Sequence, residues 1–267
     1  MIARLYKKTV LTLITVIFSM TWSMPAMSDD VPEDDWQFNA LIYLWAPYID
    51  TTTDSGSDVH IDFDTIIENL DMTFMGAFEA KKGKWSLFTD PVYMKLSGGD
   101  GWKENIPVGP PGFEIPVEFD ANLMLKSWIT DFGASYNILK TDKVTLDILA
   151  GARYTSVDLI AKLKITGVIT THSGQINASE HNWDGIAGVK GIVDINDKWF
   201  IPYHFDIGTG DSDITLNAVG AVGYRFDWGQ VLAGYRYLHY NFDSDNIGVL
   251  MKNMDVGGPI LGAQFNF

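Results

Sequence analysis

The chain contains no cysteine among its 267 residues. That excludes a disulfide frame and any thiolate metal or redox site. Positive charge is scarce. Nineteen Lys and Arg stand against 34 Asp and Glu, for a formal net charge of −15. Such a balance leaves little to neutralise phosphates and argues against nucleic acid as a partner. Long apolar runs are missing beyond Trp22, so no helix of membrane-spanning length is expected there. No Gly-rich phosphate loop leads into a helix, no HExxH motif occurs, and no cofactor is expected. No Pro/Ser-rich linker divides the sequence, so one domain is expected after the N-terminal segment.

That segment reads as an export signal. Arg4, Lys7 and Lys8 precede an uncharged, mostly apolar stretch from Thr9 to Trp22, and Ala26-Met27-Ser28 has the small-x-small form of a cleavage site. The pattern predicts a signal peptide over residues 1–28 and a mature domain over 29–267, rather than an uncleaved anchor. The apolar stretch is short for a membrane helix. Losing its three positive charges moves the formal charge from −15 to −18.

The mature sequence alternates. Leu216, Ala218, Gly220, Val222, Tyr224 and Phe226 share one parity, and Asn217, Val219, Ala221, Gly223 and Arg225 the other. Trp199, Ile201, Tyr203, Phe205 and Ile207 oppose His204 and Asp206. A period of two with one apolar side is the mark of a strand between two different environments. About ten such strands can be counted. Short connections at 81–84, 139–143, 194–198 and 227–230 alternate with longer ones at about 50–71, 98–116, 167–181, 209–213 and 243–251. A membrane protein without helical spans must close its sheet, because lipid cannot satisfy a strand edge. The expected fold is therefore all-β: a transmembrane antiparallel up-and-down β-barrel of about ten strands, eight or twelve being the alternatives. A secreted β-sandwich is the rival. An aromatic content of 13% and the many apolar outward positions favour lipid. Trp36, Trp85, Tyr136, Trp199, Tyr224 and Phe267 are expected to girdle the end carrying the short turns.

The inward parity holds ionisable groups of both signs: Glu79, Asp90, Asp131, Asp147, Asp184 and Asp206, with Arg153, Lys190, His204, Arg225 and Arg236. A charge facing lipid near the midplane costs roughly 2–4 kcal/mol, so these side chains should point inward. Inside a narrow lumen they must pair or stay wet. They could form a structural network, an ion or solute path, or a catalytic constellation. A ten-stranded barrel is only slightly wider than the eight-stranded ones that side chains fill, so small or no conductance is expected.

Two strands break the parity rule. Val144, Leu146, Ile148, Ala150 and Tyr154 give way to Val157, Leu159, Ala161, Leu163 and Ile165 on the other parity. Leu123, Leu125 and Ile129 give way to Phe132, Ala134, Tyr136 and Ile138. Either a β-bulge resets each strand, or an apolar patch faces the upper lumen and suits a hydrophobic ligand. In the first long connection, Thr65-Ile66-Ile67-Glu68 has capping-box spacing, and Ile66, Ile67 and Leu70 give a short apolar helical face. Such a face needs a partner, so a helical lid at 65–70 is expected over the barrel mouth. Deleting residues 60–70 is then expected to raise conductance without preventing assembly. Asp50, Asp54, Asp58, Asp62 and Asp64 crowd the same connection; their order does not match an EF-hand loop, so a solvated acidic loop is expected, and no metal.

Candidate nucleophile settings are sparse. His172-Ser173 and His239 with Ser244 do not resemble the nucleophile setting of barrel lipases or deacylases, whereas His204 and Asp206 near Asp211 and Asp213 faintly resemble the acidic-and-His sites of barrel proteases; a structural pair on a lumen face is the expectation for them.

The last strand, Gly258 to Phe267, places Leu261, Ala263, Phe265 and Phe267 on one face and Ile260, Gly262, Gln264 and Asn266 on the other. It resembles the terminal signature of bacterial outer-membrane barrels, which serves assembly. Trp36 to Pro47, Asn69 to Ala80 and Gly234-Tyr235-Arg236-Tyr237-Leu238 likewise resemble a family of uncharacterised proteobacterial outer-membrane β-barrel proteins. The resemblance implies residence in the outer membrane of a Gram-negative bacterium. Its implied partners are outer-membrane lipid and lipopolysaccharide, with the barrel assembly machinery engaged through the strand ending at Phe267. It carries over no catalytic residue. The leading expectation is a barrel with a narrow or plugged lumen that binds small solutes or gives them limited passage. A structural or surface-interaction barrel and a lipid- or peptide-acting enzyme are the alternatives.

Overall fold

The computed structural model describes residues 35–52, 58–107, 114–166, 171–242 and 252–267. The expected signal peptide over 1–28 lies outside the described residues, as do Asp54 and Ser244. The elements are β1 (Gln37–Trp45), β2 (Tyr48–Thr52), β3 (Asp58–Ile61), α1 (Phe63–Glu68), β4 (Leu70–Lys82), β5 (Trp85–Pro107), β6 (Glu114–Lys140), β7 (Val144–Thr166), β8 (Thr171–Asp194), β9 (Trp199–Gly210), β10 (Ser212–Phe226), β11 (Gly229–Phe242) and β12 (Asn253–Asn266). Consecutive strands from β4 to β12 pair antiparallel, and β1 pairs with both β4 and β12. The sheet thus closes as an up-and-down ring of ten strands. Closure runs to the last residue, where Phe267 and Phe38 exchange backbone hydrogen bonds of 2.8 and 3.1 Å. Pro47 interrupts the first stave. Beyond it β2 continues along β12, and β3 folds back on β2.

Parity sets the two faces as the sequence predicts. Ile42, Leu44, Phe74, Phe78, Phe205, Val222 and Leu261 are exposed outside, whereas Tyr43, Trp45, Met75, Asp206, Asn217 and Ile260 are buried inside. Aromatic side chains gather in two rows. Toward the short turns, Trp85 meets Tyr136 and Trp199 meets Tyr224, both with centroids 4.9 Å apart. Toward the other end, Tyr93 packs on Trp128 at 4.6 Å and Tyr154 on Trp183 at 4.8 Å. Tyr136 and Trp128 are eight residues apart on β6. That is roughly 27 Å of strand, or about 20 Å across a barrel whose strands tilt by some 40°. The turn between β4 and β5 takes two residues, and Gly83 occupies it with φ of 58°, a conformation that costs a side chain.

The longer connections differ from expectation. Residues 98–107 and 114–116 remain strand, with the β5–β6 ladder running to Pro107 opposite Glu114. The β7–β8 ladder runs to Thr166 opposite Thr171, so most of 171–181 is strand as well. Gly98, Gly99 and Gly101 fall in the stretch expected to be a connection, yet they pair in register with Leu123, Asn122 and Asp120 of β6. The neighbour across the ladder, absent from any local reading, overrides the local preference. Residues 50–71 hold β2, β3 and α1.

No register shift accompanies the parity break in β6 or β7; the shift in their shared ladder lies at Asn137 and Leu139. Leu123, Leu125, Val157, Leu159 and Leu163 therefore stay on the inward parity, and Lys126, Asp158, Ser179 and His181 on the outward one. Beyond Trp128 and Trp183 the two faces exchange polarity.

Inward glycines leave room for large side chains. A Cβ at Gly188 would lie 2.0 Å from the Phe205 carbonyl oxygen and 2.8 Å from Asp206 Cβ, whereas one at Gly174 meets nothing within 4 Å. Gly188→Val is expected to lower stability by about 1–3 kcal/mol in urea unfolding of refolded protein, and Gly174→Ala to change it by less than about 0.5 kcal/mol.

Candidate functional site

Alternation sends Asp131, Arg153, Asp206, Asn217 and Arg236 into the ring from five different strands, at 2% exposure or less. Arg153 is the hub. Its Nε and Nη2 donate to the two carboxylate oxygens of Asp131 at 2.7 and 2.9 Å, and Nη2 also donates to Asp206 at 2.8 Å. Nη1 donates to Thr215 Oγ1 at 3.2 Å. Asn217 donates to Asp206 at 3.0 Å and accepts from Arg236 Nε at 3.2 Å. Arg236 Nη1 reaches Asp90 at 2.9 Å and the Tyr43 hydroxyl at 2.8 Å, while Tyr43 donates to Asp90 at 2.6 Å. The Arg236 guanidinium lies over the Trp45 ring at 5.1 Å. His204 Nε2 stands 2.7 Å from Asp206. Two arginines thus face three aspartates across the whole bore.

The remaining inward charges form satellites. Lys190 binds Glu79 at 2.6 Å with its ammonium 5.0 Å over Phe88. Arg225 binds Asp194 at 2.5 Å and lies 4.4 Å over Phe200. Asp147 accepts from Asn137 at 2.6 Å. Asp184 accepts the backbone N–H of Ser212 at 2.9 Å. Of the groups expected to share the lumen, Asp90, Asp131, Arg153, His204, Asp206 and Arg236 come together, and Glu79, Asp147, Asp184, Lys190 and Arg225 do not join them. Tyr43, Asn217 and Thr215 belong to the network and were missed as site residues. Neutral groups stand out poorly in a search for charge, although Tyr43 alternates with the exposed Ile42 and Leu44.

The acidic residues expected near His204 and Asp206 have other partners. Asp211 accepts from the Trp183 N–H at 2.8 Å, and the Asp213 carbonyl accepts from Thr209 at 2.9 Å.

Away from the short turns, the bore becomes apolar. Trp45, Ile49, Met75, Val92, Met94, Leu96, Leu238, Tyr240, Met254 and Val256 form one cluster, and Ile66 of α1 is buried in it at 2% exposure. Leu70 packs on the same cluster, whereas Ile67 is 51% exposed. Residues four apart share a helix face and adjacent ones do not, which decides which isoleucine goes in. The expected capping box is corrected. The helix begins at Phe63, its N-cap is Asp62 without a side-chain cap, and Thr65 lies inside it. The Thr65 carbonyl instead accepts from Asn69 Nδ2 at 2.7 Å. Above the cluster is a chamber of about 750 Å³ between α1 and strands β5 to β8.

On the outer face of the same end, His239, Asp255, Asp50 and His60 stand in register across β11, β12, β2 and β3. Like charges directly opposed destabilise a ladder. Here each aspartate is held by its flanking histidine. His239 Nδ1 lies 2.7 Å from Asp255, and His60 Nδ1 is hydrogen-bonded to Asp50. His60 Nε2 also meets Asp62 at 2.8 Å, and Tyr237 donates to Asp255. Asp58 accepts from Thr52 at 2.9 Å. Among the described residues of the acidic connection, Asp50 and Asp62 are thus held by His60, and Asp58 by Thr52. Hydrogen bonds to Asp50, then to Asp62, push the His60 pKa above the ordinary histidine value.

No family model matches the chain, and no curated protein matches it. Among solved structures, it is similar to the outer membrane protease OmpT of Escherichia coli. That likeness has a TM-score of 0.49 at 10% identity and covers 91% of this chain and 100% of that one. The translocator domain of autotransporter NalP from Neisseria meningitidis gives 0.41 at 13% identity, over 98% and 95%. The attachment invasion locus protein Ail of Yersinia pestis gives 0.31 at 10%, over 88% and 99%. The barrel here stands on its own closed ladder and not on these likenesses.

Two expectations follow from the charges. Arg153→Met strands two buried carboxylates and should cost about 3–5 kcal/mol in urea unfolding. Arg225→Met removes a pair that is about 30% exposed on both sides and should cost about 1 kcal/mol or less. For His60 the raised pKa means that protonation favours the folded hairpin. Its stabilisation is complete below the ordinary histidine value, near pH 6.5, and is lost as pH rises through the raised one. Amide exchange over β2 and β3, corrected for intrinsic rates, should accelerate across that window. His60→Gln should abolish the acceleration, and Asp50→Asn should lower the His60 titration midpoint measured by NMR.

Proposed function

We propose that this chain is an outer-membrane β-barrel that binds a small molecule in its outer half and is closed to free diffusion across the membrane. One observation carries the reading: the fully buried layer of Asp131, Arg153, Asp206, Asn217 and Arg236 is covered by a packed apolar cluster, and the chamber lies on the far side of that cluster. The exposed apolar belt between two aromatic rows supports a lipid-facing exterior. The short turns then face the periplasm, and the long β5–β8 ribbon faces outward. Lipid and lipopolysaccharide contact the belt, and the strand ending at Phe267 engages the assembly machinery. No reaction is assigned, because His204 and Asp206 are consumed in the plug. A scaffold barrel without cargo is the second reading; the dense pairing of the plug, in which Arg236 Nη2 alone makes no hydrogen bond and lies 3.7 Å from Asp131, favours it, and the chamber does not.

Desolvating several charges is costly, and the interlocked hydrogen bonds offset that cost only while every partner stays in place. Ions passing through would have to break the layer. Refolded protein in planar bilayers should therefore show small or no steady current. Deleting residues 60–70 should leave that current unchanged, because the seal lies below α1; the expectation that this deletion opens a path is revised accordingly. Currents like those of a wide porin in the parent, or their appearance on deletion, would overturn the sealed-lumen reading.

A further inference from the structure

Apolar side chains inside a barrel mouth need a reason. Leu123, Leu163 and Ile176 are 51%, 43% and 71% exposed, yet all three line the chamber. Ile61, Leu96 and Leu125 complete its apolar wall. The unbroken β6–β7 register points Leu123, Leu125 and Leu163 inward, while their outward neighbours are polar. A strand free to choose would put those faces the other way round in water. The charged groups on the lining are Asp100 and Lys162, one of each sign and both exposed. The volume of about 750 Å³ is that of a small-molecule pocket. A macromolecular partner would meet an open concavity between four strands and a helix, not a flat patch.

We propose that this chamber is a binding site for a single uncharged, apolar small molecule, held between α1 and the β5–β8 ribbon. Thr65 and Asn69 reach the lining from the α1 side and offer polar groups at its edge. Ile66 and Leu70 anchor that wall in the core below. An anion gains little here, since the one lysine on the lining is matched by Asp100 and the chain is strongly acidic. The assignment rests on the reading above only in taking the outer half as a chamber; it does not require the lumen to be sealed.

The test uses the full mature barrel refolded into lipid nanodiscs, with N-phenyl-1-naphthylamine as the apolar probe and empty discs subtracted. Saturable fluorescence enhancement at about one probe per barrel is expected. The anionic 8-anilinonaphthalene-1-sulfonate should bind at least about tenfold more weakly. Leu125→Asp places a carboxylate on the apolar wall and should weaken the neutral probe by about tenfold or more. Ala161→Trp fills the chamber from β7 without adding charge and should do the same, with circular dichroism and heat-modifiable gel migration reporting that each variant has folded. Absence of saturable binding above empty discs would overturn the proposal, as would undiminished binding in folded Ala161→Trp. Bilayer currents recorded on the same preparations separate the two readings. A conducting barrel that binds the probe removes the seal and keeps the site, and a sealed barrel that binds nothing does the reverse.

Discussion

Arg153 is the residue on which the interior depends. It is wholly buried and hydrogen-bonded to Asp131, Asp206 and Thr215, on β6, β9 and β10. A guanidinium in that position cannot shed its charge, so its carboxylates must remain close. This fixes the distance across the ring at one level. It also explains the need for Gly188, whose Cβ would enter the space occupied by Asp206. Asn217 and Arg236 extend the same constraint to Asp90 and Tyr43, tying three further strands, β11, β5 and β1, into one layer.

Above that layer the barrel changes character without changing backbone. Below the Trp128–Trp183 row, apolar residues face out and polar ones in. Beyond it, Lys126, Asp158, Ser179 and His181 face out, and Leu123, Leu125, Leu159 and Leu163 face in. The hydrophobic effect explains both halves if the outside is lipid first and water second. The interior of the outer half is then the more apolar side. The apolar cluster closes over the plug, and Ile66 of α1 seats in that cluster. The His–Asp row on β11, β12, β2 and β3 holds the hairpin that leads into α1.

Much of this was legible in the sequence, because strand parity is a strict code. A period of two sorts every residue of a strand to one face, and a charge on an apolar face is costly. The two faces of β9, β10 and β12, the aromatic row near the short turns, and the inward direction of Asp131, Arg153, Asp206 and Arg236 follow from it. A short helix near residue 65 came instead from helical spacing, which placed Ile66, Ile67 and Leu70 on one face, although only Ile66 and Leu70 pack inward. Less legible were Tyr43 and Asn217, which carry no charge, and the N-cap at Asp62, because Thr65 and Glu68 offered a local signal that the chain does not use.

Sequence by itself determined an all-β chain with alternating faces, an apolar exterior and ionisable groups within, since each of these depends only on neighbours along the strand. Tertiary structure decided which inward charges meet. Arg153 and Asp206 lie 53 positions apart and Arg236 and Asp90 lie 146 apart, and only ring closure and register bring them within hydrogen-bonding distance. Tertiary structure also decided between a bulge and an inward apolar wall in β6 and β7. Both give the same residue pattern in one dimension, and the difference lies in an unbroken ladder with neighbouring strands that no single strand contains.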